Sequence, residues 1–323
     1  VVVGQGYHER AGEAHAEIHA IEAAGPATHG ATLYCTLEPC SHFGRTGPCV
    51  HRIVTAGIVR VVASVRDPNP VVSGRGFEYL RAHGVRVEIG VGAEQATRLN
   101  RPYLTFVSHQ RPFVIMKAAI SQDGYVAAAA GARTRLTSDE SLRHAHIVRA
   151  EVDGIGVGST TVLVDDPELT VRGVHRVRPL TRVIFDRRLR TRASARVLST
   201  LSQGPVIILT SAQAMANSPD QVDALRHVGA TVQAMESADV TAALRWLGSE
   251  QMMSLVLEGG PTLQSAAWQA GVVDCVHLYV APLKLGSAGV KWLPTGILST
   301  LVETREEQLG TDRFTEGYVH RTY

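Results

Sequence analysis

Cysteine and lysine are both scarce in this chain, and long apolar runs are missing. The 323 residues include four cysteines, at positions 35, 40, 49 and 275, too few for a disulfide scaffold of this length. We therefore expect a reducing, cytoplasmic compartment. No uninterrupted run of about 18 apolar residues occurs, so no transmembrane helix is predicted. None of the three lysines lies in a Gly-Lys-Ser/Thr motif, which argues against a Walker-type phosphate loop.

The net charge and the aromatic content are also low, and both limit the classes of partner. The formal net charge is +2 and aromatic residues make up 5% of the chain. These values predict neither a basic, aromatic nucleic-acid surface nor attraction to an acidic membrane. Hydrophobic residues reach 45% and charged residues 19%, which is typical of a chain with a packed interior.

The pattern of apolar and turn-forming residues predicts two α/β domains, for which 323 residues leave room. Probable helices and strands alternate in the first hundred residues, which indicates a largely parallel, buried sheet. The pattern breaks at 100–112, where two Arg-Pro pairs bracket a short stretch, and we place the domain boundary there. The predicted strands lie at 31–37, 59–65, 113–121, 152–158, 181–186, 205–211, 254–260 and 275–283, and the predicted helices at 14–25, 49–57, 138–150 and 261–271.

Two local features qualify this pattern. The first residues, VVVGQGY, are typical of a strand interior, so we expect a further N-terminal segment in the biological protein. Thr137 followed by Glu140 predicts a capping box for the helix at 138–150.

A histidine and a glutamate two residues apart precede two cysteines in the first domain. His15-Ala-Glu17 and Pro39-Cys40 match the pattern of zinc nucleobase deaminases, although Cys49 follows Cys40 after eight intervening residues instead of two. One imidazole and two thiolates would give zinc three ligands and leave one position for a water molecule, whose pKa the metal lowers. Glu17 would then carry a proton to a leaving amine.

Other interpretations of the cysteine pair stay open from the residues alone. Cys40 and Cys49 could form a disulfide, which the cytosolic composition disfavours. They could also belong to a closed structural zinc site that recruits Cys35 or His42 as a fourth ligand. Cys35 lies in an apolar predicted strand, where a buried, unreactive thiol is the commoner case.

The second domain contains a glycine pattern that only partly fits a dinucleotide site. GIGVGS, at 154–159, has the form Gly-x-Gly-x-Gly, and no acidic residue follows at the spacing that a Rossmann fingerprint requires. We therefore interpret these glycines as positions of close packing and turning. Asp165 and Asp166, just before Pro167, are also compatible with a structural turn.

Several stretches closely resemble the bifunctional riboflavin-biosynthesis deaminase–reductases, in the order expected for that family. The ten-residue loop from one cysteine to the other, CSHFGRTGPC, separates this family from cytidine and tRNA deaminases. The stretches that carry the resemblance are GYHERAGEAHAEIHAI (6–21), TLEPCSHFGRTGPC (36–49), KAAISQDG (117–124), HIVRAEVDGIGVG (146–158), STTVLVDDPELTVR (159–172) and LEGGPTLQSAAWQAGVVD (257–274).

The resemblance implies a role for particular residues in the first domain. His15, Cys40 and Cys49 are implied to bind zinc, and Glu17 to be the catalytic proton shuttle. The residues implied to hold the substrate and its ribose phosphate are His8, His42 and Arg45.

The same resemblance implies a second site in the reductase domain. Asp165 is implied to be catalytic and to border the nicotinamide together with Thr161. RTRLTS, at 133–138, replaces the Ser-x-Trp-Ile-Thr common in the family, and its arginines are consistent with the 2′-phosphate of NADPH. Substrate contacts are implied for Arg149, Leu169, Arg172 and Glu258, and cofactor contacts for Ile120, Arg135, Thr161, Asp165, Gly259, Gly260, Pro261, Thr262 and Leu263.

The fold and the function implied by the resemblance are specific. A cytidine-deaminase-like three-layer α/β domain at 1–108 would precede a dihydrofolate-reductase-like domain at 112–323. With Zn²⁺ and NADPH as cofactors, the chain would deaminate 2,5-diamino-6-(5-phosphoribosylamino)pyrimidin-4-one and then reduce the ribosyl side chain to ribityl. The alternative is a reductase whose first domain is a structural zinc module. We expect a small-molecule substrate, no nucleic-acid or membrane partner, and a cytoplasmic homo-oligomer.

Overall fold

The computed structural model describes residues 1–10, 12–44, 47–237, 239–293 and 296–320. The chain divides into two units, 1–109 and 110–320. Each unit has buried apolar clusters of its own. Within the part of the chain that the structure describes, no helix combines the length and apolar character that crossing a membrane requires.

The first unit is built on a parallel sheet of three strands in the order β1-β2-β3. Val61 and Val62 are adjacent in β2 and both are buried, so both faces of this strand are covered. The strands are β1 (Thr32–Leu37), β2 (Arg60–Val65) and β3 (Arg86–Ile89), and the helices are α1 (Ala16–Ala24), α2 (Cys49–Thr55), α3 (Arg75–Ala82) and α4 (Ala93–His109), with a 3₁₀ turn at Gly25–Thr28.

The second unit contains a nine-stranded sheet in the order β13-β14-β11-β4-β10-β6-β7-β8-β9. The strands from β11 to β9 are parallel to their neighbours, whereas β14 and β13 pair antiparallel at one edge. The strands are β4 (Phe113–Ser121), β6 (Gly154–Gly158), β7 (Thr181–Phe185), β8 (Val206–Ser211), β9 (Thr231–Met235), β10 (Ser254–Gly259), β11 (Cys275–Ala281), β13 (Val302–Leu309) and β14 (Asp312–Tyr318); a separate pair is formed by β5 (Tyr125–Ala127) and β12 (Val290–Lys291).

Helices cover both faces of this sheet. Leu255 and Leu257 of β10 belong to one apolar cluster and Val256 to another, as the alternation of side chains along a strand requires. The first cluster includes residues of α9 and α10, and the second includes residues of α5 and α8. The helices are α5 (Asp139–Glu151), α6 (Ser159–Asp165), α7 (Ala212–Asn217), α8 (Pro219–His227), α9 (Val240–Ser249) and α10 (Pro261–Gln269), with 3₁₀ turns at Arg196–Gln203 and Ile297–Thr300.

Three local predictions are wrong. The first Arg-Pro pair does not end the regular secondary structure near residue 100, because α4 continues through Pro102 to His109. An interior proline costs a helix about 3 kcal/mol, which the burial of Ala96 and Leu104 on the apolar side of α4 offsets. Residues 1–10 contain no strand. The helix α5 is capped by Ser138, whose hydroxyl accepts a hydrogen bond from the Ser141 backbone N–H, and not by Thr137.

A buried ion pair ties the start of β4 to the start of β11. Arg111 Nη1 and Nη2 donate to the two carboxylate oxygens of Asp274 at 2.6 and 2.8 Å. The same carboxylate accepts the Val114 backbone N–H at 2.8 Å. The two side chains are only 10% and 11% exposed, so the loss of either charge would leave the other without a partner in a dry site.

Asp274→Asn tests this pair. We expect the variant to lose about 3 kcal/mol of stability in the second unit, because Asn cannot neutralise the buried guanidinium. Thermal unfolding followed by circular dichroism measures the change. Glu307→Gln, which breaks the exposed Arg305–Glu307 pair, is the control and should change the stability by at most about 0.5 kcal/mol. Equal effects of the two substitutions on stability would contradict a stabilising role of the buried Arg111–Asp274 pair.

Candidate active sites

His15, Cys40 and Cys49 come together in the first unit from three separate segments. His15 occupies the N-cap position of α1, Cys40 follows β1 closely, and Cys49 is the first residue of α2. His15 Nδ1 lies 3.4 Å from Cys40 Sγ and 3.2 Å from Cys49 Sγ. Their three ligand atoms lie within 4.8 Å of one another.

The donor set and its spacing fit a tetrahedral zinc ion. Zn–S and Zn–N bonds of about 2.3 and 2.0 Å place neighbouring ligand atoms about 3.6 Å apart, close to the distances observed. A hydrogen bond with the Cys49 side chain lowers the pKa of the Cys40 thiol to about 4, and the Cys49 backbone N–H also donates to its sulfur at 3.3 Å. The hydrogen bond between the two cysteines therefore favours a thiolate at Cys40 and raises the pKa of the Cys49 thiol.

The structure separates the three interpretations of the cysteine pair. Cys40 and Cys49 are both free, so the disulfide is excluded. Among the described residues, neither Cys35 nor His42 joins the three-residue cluster. Cys35 instead donates from Sγ to the Val62 carbonyl at 3.8 Å, and burial raises the pKa of its thiol, as a structural cysteine requires. The geometry thus leaves one side of the cluster without a protein ligand in the part of the chain described.

Glu17 and His8 lie beside this cluster, and His42 follows Cys40 by two residues. Glu17 is the second residue of α1, and burial raises the pKa of its carboxyl. The His8 ring lies 5.3 Å from the His15 ring, and its Nδ1 pairs with the Ala14 carbonyl at 3.1 Å. Nδ1 of His42 is buried without a hydrogen-bond partner in the structure. Arg45, the third predicted substrate contact, lies outside the described residues.

Glu38, which was not predicted as a site residue, holds the segment that carries Cys40. Its buried carboxylate accepts backbone N–H groups from Asp67, Gly74 and Gly76 at 3.3, 3.0 and 2.9 Å. A Cβ at Gly76 would lie 2.2 Å from the Pro39 carbonyl oxygen, so this position requires glycine. The only signal in the sequence was the acidic residue immediately before Pro39-Cys40.

The second unit contains a cavity of about 700 Å³ where β6 and β10 end beside β4. Adjacent parallel strands bring the N-termini of α6 and α10 to the same edge of the sheet, where α/β proteins commonly bind ligands. A Cβ at Gly259 would lie 2.8 Å from Thr161 Oγ1, so this glycine permits the close approach of the β10–α10 turn to α6. Residues on the wall that the sequence predicted are Arg135, Thr161, Asp165, Arg172, Glu258, Gly259, Gly260, Pro261, Thr262 and Leu263.

A buried ion pair stands behind this wall. Arg149 Nε and Nη2 donate to the carboxylate of Glu258 at 2.6 and 2.8 Å, and Nη1 donates to the Thr170 carbonyl. Lys117 Nζ lies 3.9 Å from the same carboxylate and also lines the cavity. Burial lowers the pKa of Lys117, whereas the Arg149 charge helps to hold the pKa of Glu258 at about 2 against the effect of burial. Lys117 was not predicted as a site residue, because only the fold places it opposite Glu258.

Some predicted contacts do not lie on the cavity wall. Ile120 and Leu169 are buried in the two apolar clusters of the sheet. The guanidinium of Arg149 is already engaged by Glu258 and Thr170, so it is not a free fork for a substrate phosphate. A direct substrate or cofactor contact of these three residues remains a prediction.

The glycines of β6 have the packing role that we expected. A Cβ at Gly154 would lie 2.8 Å from Met252 Cε, and one at Gly156 would lie 2.8 Å from Leu257 Cδ2. Glycine at these positions therefore permits close packing, since any larger residue would displace a neighbouring buried side chain. Asp166 adopts a left-handed conformation (φ 40°) and accepts the Arg196 backbone N–H, in keeping with its predicted turn.

Comparisons with protein families define the class of each unit. Residues 1–65 match the cytidine and deoxycytidylate deaminase zinc-binding region, and residues 112–319 match the RibD C-terminal domain. The predicted fold class, a deaminase-like domain followed by a reductase-like domain, is confirmed. The chain belongs to the RibD family, the bifunctional deaminases and reductases of riboflavin biosynthesis. Membership implies a nicotinamide cofactor for the second unit.

Curated relatives and solved structures agree with this assignment. The riboflavin biosynthesis protein RibD of Aquifex aeolicus is 38% identical over 317 residues, which cover 96% of this chain and 87% of the relative. RibD of Escherichia coli K12 is 38% identical over 301 residues, covering 88% and 80% of the two chains. The structure of Acinetobacter baumannii RibD has a TM-score of 0.85 and 31% identity, with 99% of this chain and 89% of that chain covered.

His146 lies close to the buried ion pair. It is 4% exposed, and its Nδ1 accepts the Arg172 backbone N–H at 3.2 Å. Burial, reinforced by the positive charges of Arg149, Arg172 and Lys117 against that of Glu258, lowers its pKa to about 4 from 6.5. Between these values the unfolded chain binds a proton that the native chain does not bind.

We therefore expect the second unit to lose stability as the pH falls from 6.5 towards about 4. His146→Gln should make this loss shallower, with a slope remaining from His144, whose pKa burial also lowers. Thermal unfolding midpoints recorded across this window measure the slope. Identical slopes for the variant and the parent chain would show that His146 does not carry this proton linkage.

Proposed function

We propose that the first unit catalyses the deamination of a diamino-hydroxy-phosphoribosylamino-pyrimidine, and that the second reduces the product's ribosyl side chain to ribityl. One solved relative, from Thermotoga maritima, is described as a diaminohydroxyphosphoribosylaminopyrimidine deaminase/5-amino-6-(5-phosphoribosylamino)uracil reductase. It is 31% identical, with a TM-score of 0.82 and with 98% of this chain and 88% of that chain covered. The observation that carries the proposal is one chain holding both a three-donor cluster beside Glu17 and a large cavity beside Lys117 and Glu258.

In the deaminase site, His15, Cys40 and Cys49 would hold the zinc ion. When bound, zinc supplies a Lewis acid that lowers the pKa of water towards neutrality. Glu17 would take a proton from the attacking water and return it to the leaving amino group. Burial raises the pKa of the Glu17 carboxyl towards neutral pH, which favours this exchange of a proton. His8, His42 and Arg45 would bind the substrate.

In the reductase site, the chain's task is to hold a dinucleotide and the sugar face to face. The cofactor supplies the hydride. The backbone N–H groups of Gly259, Gly260, Thr262 and Leu263 would bind its phosphates, since Pro261 has no N–H to donate. Thr161 and Asp165 would border its nicotinamide. Lys117 would donate a proton to the sugar, since its lowered pKa makes it a stronger acid than an exposed lysine. Glu258 would orient Lys117, and Arg149 would act through Glu258.

We propose NADPH as the hydride source. Arg133 and Arg135 both line the cavity, where two guanidinium groups would favour a cofactor carrying an additional phosphate. The ion pair of Arg135 with Asp139 is exposed, so the guanidinium can exchange its partner at little cost. A homo-oligomeric state and a cytoplasmic location complete this proposal.

Glu17→Gln separates this function from the alternative of a reductase with a structural zinc module. We expect ammonia release from the diamino substrate to fall by about 100-fold or more, because the amide cannot accept and return the proton. NADPH oxidation on the deaminated substrate should be unchanged. Glu22→Gln is the matched control, since Glu22 is exposed on the same helix. A parent chain that releases no ammonia would favour the alternative.

Lys117→Met tests the reductase site in the same way. We expect NADPH oxidation to fall by about 100-fold or more, since the variant keeps the length of the side chain and loses its proton. Ammonia release should persist. Lys284→Met, at an exposed lysine that does not line the cavity, should leave both rates unchanged. Full reduction by the Lys117 variant would rule out Lys117 as the proton donor.

A further inference from the structure

A second group of potential metal ligands lies in the reductase unit, outside the residues that line its cavity. Cys275 and His277 are two residues apart on β11, and Glu316 pairs directly with His277 on β14. Directly paired residues share a face of the sheet, as do residues two apart on one strand. The thiol, one imidazole nitrogen and one carboxylate oxygen accordingly lie within 4.8 Å of one another.

Two of the three residues in this group are buried, and Glu316 is half-buried. Cys275 is 1% exposed and His277 is 8% exposed. The Phe314 ring stands edge-on to the His277 ring at 5.4 Å, and the His144 ring of α5 lies 6.5 Å away. Nδ1 of His277 is buried and has no hydrogen-bond partner in the structure. A buried polar nitrogen without a partner is energetically unfavourable, and a bound ligand at this group would remove that cost.

We propose that Cys275, His277 and Glu316 bind a divalent metal ion of the zinc class. A thiolate, an imidazole and a carboxylate are the three ligand types that zinc accepts, and the combination with sulfur disfavours magnesium and calcium. The Tyr318 hydroxyl donates to Glu316 Oε1 at 2.6 Å, which fixes the carboxylate and leaves Oε2 for a ligand. Such an outer hydrogen bond is typical of a metal-binding carboxylate.

The position of the site gives it a structural consequence. The metal would join β11, the last parallel strand at this side of the sheet, to the antiparallel β14. On the other side of β11, His277 pairs directly with Lys117 of β4, the proposed proton donor of the reductase. A metal at Cys275, His277 and Glu316 would therefore brace the strand beside the reductase cavity.

Metal content tests the proposal on the full chain. The purified protein is freed of loosely bound metal on a chelating resin and reloaded with zinc. It should then contain two zinc equivalents per chain by elemental mass spectrometry. Cys275→Ser and Glu316→Gln should each remove one equivalent, whatever the site at His15, Cys40 and Cys49 holds. Cys35→Ser, at a half-buried thiol outside both clusters, is the control and should remove none. An equivalent that persists in both variants would overturn the proposal.

Cobalt gives a readout that does not depend on counting. In a Cys40→Ser, Cys49→Ser double variant, Co²⁺ should still produce a thiolate-to-cobalt charge-transfer band, and adding Cys275→Ser should abolish it. The parent crystal should also show an anomalous zinc peak between β11 and β14, a measurement that needs no variant. Absence of both the band and the peak would show that Cys275, His277 and Glu316 form a metal-free cluster.

Discussion

The ion pair between Arg149 and Glu258 is the interaction on which the reductase site depends. Glu258 stands near the end of β10, directly before the Gly259-Gly260 turn, and it is buried. A carboxylate there would be costly without the two-pronged contact from Arg149. Because Arg149 balances the charge of Glu258, this carboxylate can lie beside Lys117 while the pKa of Lys117 stays lowered. The same pair stands directly before the turn at the start of α10, whose first residues line the cavity.

The deaminase site is organised by a different constraint, the convergence of three backbone segments. His15 and Cys49 lie at the starts of two helices, and Cys40 lies on the segment after β1. Glu38 holds that segment by accepting three backbone N–H groups from 67–76. The carboxylate therefore satisfies buried donors and aligns Cys40 at the same time. In both units a buried carboxylate positions the chemistry and is not itself required to react.

Helices and strands were predicted correctly where the local sequence pattern was strong, and they were missed where it was weak. β4 was predicted at 113–121 and forms at those residues, because its apolar run is buried on both faces of a parallel sheet. β13, VETREEQL, was missed because it is an exposed edge strand with no apolar alternation. α4 was misjudged because Pro102 is normally a breaker, whereas tertiary burial sustains the helix. Among the cavity residues, motif resemblance found Thr161 and Gly259 but not Lys117.

The sequence by itself determined the two-domain α/β class, the donor types around His15 and the family, because these depend on residue identity and local spacing. It could not determine which side chains meet. Arg149 and Glu258 are separated by 109 positions, and the strand order that joins them places β10 between β4 and β6. Only the tertiary structure decided that Arg149 supports a carboxylate, that Lys117 faces it, and that Cys275 meets Glu316. Contacts between distant strands follow from sheet register, and no short stretch of sequence encodes that register.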